Sequence, residues 1–232
     1  IEARPSMAEA YFHRADAKAR LEDYDSAIAD LDKAIGLNPF RLEFYELRGM
    51  CLGQHRMFPQ AIADYDHVLQ QNPWQQNVRF NKIVSLLQLK DYTKATAETD
   101  SFIARWPNYS KAYLAKVEIS LAQKDTLKAL AWADTLLQLT PRDANMWNFK
   151  GQYALRHKRY VEADSFLTKA TIIDPMEAES FLMRAAVHHS LRKYDDALKD
   201  YDEVIRLIPQ HFVAHYNSCL LYTSPSPRDL ST

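Results

Sequence analysis

Residues 8–41, AEAYFHRADAKARLEDYDSAIADLDKAIGLNPFR, carry two markers, Ala27 and Pro39, that return along the whole chain at one interval. Alanine recurs at Ala27, Ala61, Ala95, Ala129, Ala163 and Ala197, and proline at Pro39, Pro73, Pro107, Pro141, Pro175 and Pro209. Two independent series with the same 34-residue step define six repeats, 8–41, 42–75, 76–109, 110–143, 144–177 and 178–211, after a lead-in over 1–7. Each repeat has room for two helices of about 12 to 14 residues joined by short turns. Alanine supplies the small side chain needed where two helix axes cross. Proline lacks an amide hydrogen and biases the preceding residue away from helix, so the second helix should stop at segments such as Leu37-Asn38-Pro39 and Ile173-Asp174-Pro175. Ser6 followed by Glu9 reads as a capping box opening the first helix, and Pro59 suits the first turn of a second helix.

Composition agrees with helix throughout. The 232 residues include only 4 glycines, too few for the tight turns of a β protein or for a phosphate-cradling loop. With 29 lysines and arginines against 30 aspartates and glutamates, no net field draws in nucleic acid or an anionic membrane. No apolar run reaches the roughly 18 residues needed for a membrane span, so no membrane insertion is expected. Cys51 and Cys219 lie far apart in no metal-binding or disulfide spacing, so no metal or cofactor is expected. The chain opens at Ile1 without initiator Met or export signal, so a piece of a longer protein is expected and the compartment stays open.

The repeat resembles the tetratricopeptide family of bacterial type. That pattern has a bulky aromatic at position 4, a small residue at 8, alanine at 20, a bulky apolar group at 24 and proline at 32. Position 4 here reads Tyr11, Tyr45, Arg79, Tyr113, Trp147 and Phe181; position 8 reads Ala15, Gly49, Ile83, Val117, Gly151 and Ala185. The third repeat departs most, with Arg79, Ile83 and Thr99 where large, small and large are the rule. Position 17 is Tyr24, Phe58, Tyr92, Tyr160 or Tyr194, able to pack over the hairpin turn, with Thr126 the exception. The resemblance implies an all-α fold: an α-solenoid, a right-handed superhelix of six helix-turn-helix repeats, each covering the apolar face of the last. A partial seventh helix is expected over 212–222, where Phe212, His215, Tyr216, Cys219 and Tyr222 keep helical spacing, and a coil tail over 223–232. Residues 219–229 read as the in-frame translation of a sequencing-library adapter, the alternative being a natural Ser/Pro-rich linker.

Chemistry is hard to place on this frame. Acidic pairs at Asp30/Asp32, Asp64/Asp66, Glu98/Asp100 and Asp200/Asp202 point some 200° apart on a helix, which denies them a shared target and suggests a solvated face. His188 and His189 diverge likewise, and His215, four residues after His211, falls in the slot of a core aromatic. No Gly-rich phosphate loop or Gly-x-Ser-x-Gly turn occurs, and Cys51 has no partnered histidine, so no catalytic residues are assigned.

Binding is the expected role. By the resemblance, positions 2, 5, 6 and 9 of each first helix line a concave groove. The residues assigned to it are Asn77, Phe80 and Asn81; Lys111 and Leu114; Asn145, Asn148, Phe149 and Gln152; and Leu182 and Met183. Carboxamides pair with a peptide backbone while the apolar members give contact area, which suits a protein or peptide partner. The alternative is that the phenylalanines serve only packing. A clamp for chaperone carboxylate tails is disfavoured, because Glu46 stands where the resemblance requires a cation. Two other readings remain: a recognition arm of a longer enzyme or assembly, and self-association through uncapped end faces.

Overall fold

The computed structural model describes residues 5–223, with side chains from 7 to 221, so the coil expected over 223–232 lies outside the described residues from 224 onward. Among the described residues every regular element is a helix. The order is α1 (Pro5–Arg20), α2 (Tyr24–Leu37), α3 (Leu42–Gln54), α4 (Phe58–Gln71), α5 (Gln76–Gln88), α6 (Tyr92–Arg105), α7 (Ser110–Ala122), α8 (Thr126–Leu139), α9 (Ala144–Arg156), α10 (Tyr160–Ile173), α11 (Ala178–Ser190), α12 (Tyr194–Leu207) and α13 (Phe212–Thr223). The fold is an all-α helical-repeat solenoid, and the last helix is the unpaired one expected after the sixth repeat. Ser6 lies inside α1 rather than ahead of it, which corrects the capping-box reading.

The chain divides into two compact units, one reaching Trp132 and one starting at Ala133, with the division inside α8. In the first unit α1 packs on α2, α3 on α4 and α5 on α6, while α2, α4 and α6 each pack on the next hairpin's leading helix. Lighter contacts join α1 to α3, α3 to α5 and α5 to α7. In the second unit the same zigzag runs α9, α10, α11, α12, α13, with α9 touching α11.

Both turn types follow from backbone chemistry. Between the helices of each repeat one residue is left-handed, and it is never glycine: Glu22, Arg56, Lys90, Lys124, Lys158 and Arg192, with φ between 58° and 64°. Each turn is a Schellman motif: Asp23 N–H reaches the carbonyl of Lys18, Glu22 N–H that of Ala19, and Asp125 and Lys124 repeat the pattern onto Ser120 and Leu121. The same aspartates then cap the following helix, Asp23 accepting from Ser26 N–H and Asp91 from Lys94 N–H. Hence these six turns call on none of the chain's four glycines. At the other end, the residue before the repeat proline is extended, as at Asn38 (ψ 88°), Asn72 (ψ 82°) and Asp174 (ψ 90°), and the helix stops there.

Inside a hairpin the crossing point is set by paired volumes. Gly49 faces Tyr65, and a Cβ built on it would stand 2.6 Å from the ring; Gly151 faces Leu167 at the same distance. The third repeat inverts the sizes: Ile83 and Thr99 are both fully buried, and the Thr99 hydroxyl bonds the Ala95 carbonyl at 2.6 Å. Its departure from the family pattern therefore reverses large and small at the two equivalent places while both side chains stay fully buried, so the hairpin is not looser there.

A charge ladder ties successive hairpins together. Arg14, Arg48, Lys82, Lys116, Lys150 and Arg184 share one place on the leading helices. Arg48 bonds Asp64 of its own hairpin at 2.7 Å and Asp32 of the preceding one at 2.6 Å. Lys82 joins Glu98 (2.5 Å) and Asp66 (2.7 Å) in the same way. Where the hairpin's own carboxylate is replaced by an aromatic, the cation sits over its ring: Lys116 over Trp132 at 5.6 Å and Lys150 over Phe166 at 4.5 Å, while Asp100 and Asp134 hold the other side. Arg184 bonds Asp200 at 2.6 Å and the Thr171 hydroxyl at 2.8 Å. Residues two apart on a helix do diverge, but in the first three pairs they diverge onto two different cations, while in the fourth Asp200 meets Arg184 and Asp202 is exposed. The solvated-face reading is corrected, since Asp30, Asp64 and Asp200 are buried.

Three outcomes test this packing. Gly49→Ala should lower stability by about 1–3 kcal/mol in urea denaturation, and adding Tyr65→Leu should recover part of the loss. Arg48→Ala, which leaves Asp64 buried without its cation, should cost about 3 kcal/mol, with Arg48→Lys intermediate. The Arg14 hydrogen bond, assisted by Lys18 and opposed by burial, holds the Asp30 carboxyl well below the usual carboxylate range. Its contribution is complete above the unfolded value of about 3.9 and fades as pH falls toward the folded one. The denaturation midpoints of wild type and Asp30→Asn should therefore differ constantly above about pH 5 and converge below about pH 4.

Candidate functional site

The leading helices present a stripe that stays partly exposed once the hairpins are packed. In the first unit the stripe of α3 carries Glu46, Met50, Gly53 and Gln54, and that of α5 carries Asn77, Asn81, Val84 and Gln88, each set at three- and four-residue steps. Between them lies a cleft of about 370 Å³ lined by Met50, Gly53, Gln54, Arg56, Phe58, Tyr65, Asn81, Val84, Ser85 and Gln88. Gly53 contributes to the opening, because a Cβ there would point toward the Tyr65 hydroxyl at 3.6 Å. Met50 (44% exposed) and Val84 (40%) leave substantial apolar surface in water.

The residues assigned from the sequence fall into three kinds. Asn77, Lys111, Asn145 and Gln152 are exposed, and Leu114 keeps 44% of its surface. Asn81 is half-buried in the cleft wall. The others are engaged within the fold. Phe80 packs against Phe102 (ring centroids 5.7 Å) and Tyr109 (5.0 Å) and joins the core around Ile83 and Leu86. Leu182 packs on the cluster of Phe181, Ala185 and Tyr201, and Met183 on that of Ala154, Leu167 and Val187. Asn148 donates Nδ2–H to Ser180 Oγ at 2.6 Å, joining α9 to α11, and Phe149 is half-buried. Gln54 and Gln88 were not assigned, although each lies one turn beyond Met50 and Val84, a step that helical periodicity makes visible.

His215 does not fill a core slot, which corrects that reading: its ring is exposed and its Nε2 meets the Pro209 carbonyl at 2.9 Å. Tyr113 and Trp147 contact Pro107 and Pro141 in the same way, at 2.8 and 2.9 Å. A polar-tipped side chain at this place can thus tie the leading helix to the preceding loop, as Arg79 also does onto Pro73, although Phe181 fills it without one. Among the described residues no group of three or more His, Cys, Asp or Glu side chains could hold a metal, and no helix is long and apolar enough to cross a membrane. A second cleft of about 420 Å³, lined by Pro59, Ile62, Asp66, Lys82 and Glu98 among others, contains part of the charge ladder.

A family model described as tetratricopeptide repeat matches residues 8–41 and 178–211, and a second of the same description matches 85–144, together more than half of the chain. The chain belongs to the tetratricopeptide repeat family. It is 36% identical over 63 residues to small glutamine-rich tetratricopeptide repeat-containing protein 2 of Saccharomyces cerevisiae, a match that spans 27% of this chain and 18% of that protein. Among solved structures, the C-terminal part of a tetratricopeptide repeat-containing protein from Cytophaga hutchinsonii superposes with a TM-score of 0.74 at 17% identity, covering 89% of this chain and 83% of that one. Pseudomonas aeruginosa pilF gives 0.69 at 16% identity, covering 93% and 98%. YrrB, described as a tetratricopeptide protein with an unusual peptide-binding site, gives 0.62 at 17% identity, covering 82% and 97%. At these identities the likeness concerns the fold. The family as a whole consists of helical-repeat scaffolds for protein–protein interaction.

Cys51 illustrates how little of this repeat is set up for covalent chemistry. It is 1% exposed, and burial, with Asp16 adding, pushes its thiol up to about 11. The thiolate fraction at neutral pH is then on the order of one part in ten thousand. In the native protein Ellman's reagent should titrate one thiol quickly, that of exposed Cys219, with Cys51 reacting only when denaturant is added.

Proposed function

We propose that this chain is a non-catalytic scaffold that holds an extended or helical segment of a partner protein along the exposed stripes of its leading helices. The observation that carries this reading is the α3–α5 cleft, where the apolar side chains Met50 and Val84 stand in water among the carboxamides Gln54, Asn81 and Gln88. Exposed apolar side chains give a ligand contact area, and carboxamides offer both a donor and an acceptor to each backbone amide. In the same unit α7 exposes Lys111 and Leu114, and the second unit, taken by itself, exposes the carboxamides Asn145 and Gln152. Phe80 in the first unit, and Asn148, Leu182 and Met183 in the second, are engaged in packing within their own unit, and their truncation would lower stability as well as binding. The peptide-binding site named for YrrB supports the choice of ligand class by analogy of fold alone.

A partner captured from lysate should be lost on Val84→Arg or Leu114→Arg with helicity and denaturation midpoint unchanged. It should be kept on Val161→Arg or Ile172→Arg, which alter the exposed apolar side chains of α10 (75% and 73% exposed). The reverse pattern would place binding on the trailing helices and end the proposal.

A further inference from the structure

One half-buried carboxylate beside the cleft has no cation for a partner; Asp143 and Asp174, half-buried as well, accept backbone N–H groups at turns instead. Glu46, on the stripe of α3 one turn before Met50, is half-buried, and no cation among the described residues pairs with it. Its neighbour Glu43 is matched by Arg41 at 3.2 Å, and the buried Asp30 and Asp64 are each matched by arginine. Glu46 has only a neutral donor: Gln75, at the start of α5, gives Nε2–H to Oε2 at 2.5 Å and leaves Oε1 free of any such bond. Burial pushes its carboxyl above the usual range, the Gln75 hydrogen bond opposes this, and the charge of Glu43 adds to it. A half-desolvated anion beside a second carboxylate is stabilised by a cation brought from outside.

We infer that Glu46 is the anchor for a lysine or arginine of the bound segment, and that the side chain two residues further along that segment is apolar and seats between Met50 and Val84. This rests on the proposed use of the α3–α5 cleft. The spacing comes from geometry: Glu46 and Met50 are four residues apart on a helix, about 6 Å along its axis. Alternate residues of an extended peptide lie on one side at about 6.6 Å, so a segment of the form Lys/Arg-x-apolar matches the two contacts. Asn81, Gln54 and Gln88 then face its backbone. Specificity follows from the same carboxylate, since an acidic segment or a free C-terminus meets the unpaired Glu46 and is repelled.

The test uses the full chain and fluorescein-labelled decapeptides of Gly and Ser carrying a central Lys-Ser-Leu, Nle-Ser-Leu or Glu-Ser-Leu, read by polarisation. The Lys peptide should bind at least tenfold more tightly than the Nle peptide, the Glu peptide least, and the preference should shrink with added salt. Glu46→Gln, which still accepts the Gln75 hydrogen bond, should bring the Lys peptide to the Nle level. Val84→Arg should weaken the Lys and Nle peptides alike. If Glu46→Gln leaves the Lys preference intact while Val84→Arg removes binding, the cation anchor is wrong and the cleft stands. If Val84→Arg changes the binding of neither peptide, the cleft reading has failed as well.

Discussion

A hairpin of two short helices can bury only one side of itself, so its remaining apolar face must be covered by something else. In this chain the cover is the next hairpin, and each consequence follows from having to repeat that contact at constant geometry. The interval is fixed at 34 residues because both turns are fixed: one by a left-handed residue and its paired Schellman bonds, the other by a proline that stops the second helix. With the turns set, the crossing point of each pair is set too, and only the summed volume of two facing side chains remains adjustable. Gly49 with Tyr65, Ile83 with Thr99 and Gly151 with Leu167 are three solutions to one requirement.

This accounts for what could be read in advance. A period fixed by turns and crossings leaves small residues and prolines at equal steps, and those gave the architecture directly. Features that depend on two residues in different helices were harder to see. The acidic pairs were visible, but their cations lie 16 residues away on other helices, and a single-helix wheel carries no such information. The cations themselves recur at the same 34-residue step, so comparing the two series would have exposed the ladder. Ile83 and Thr99 were likewise read singly as irregularities, although each makes sense only opposite the other.

The binding surface was legible in outline and not in detail. A helical wheel says which side of a helix faces away from its partner, but not how far a neighbouring ring reaches over that side. Phe80 is met by Tyr109 from beyond the next turn, and Asn148 by Ser180 across 32 residues, so both are engaged although the wheel turns them outward. What stays open is where large side chains are lacking on the neighbour, as around Gly53, and the cleft forms there. The ligand surface is thus defined partly by what the scaffold leaves unfilled.

The shared cation has an implication for how such a chain can change in length. Arg48 answers one carboxylate in its own hairpin and one in the hairpin before, and Lys82 does the same. Each unit therefore hands forward one negative charge and receives one from behind. Duplication or loss of a whole period among these hairpins joins a donor of that charge to an acceptor of it, whichever copy is gained or removed. A cut at any other length would strand a buried ion, so the electrostatics themselves favour growth and shrinkage in whole modules.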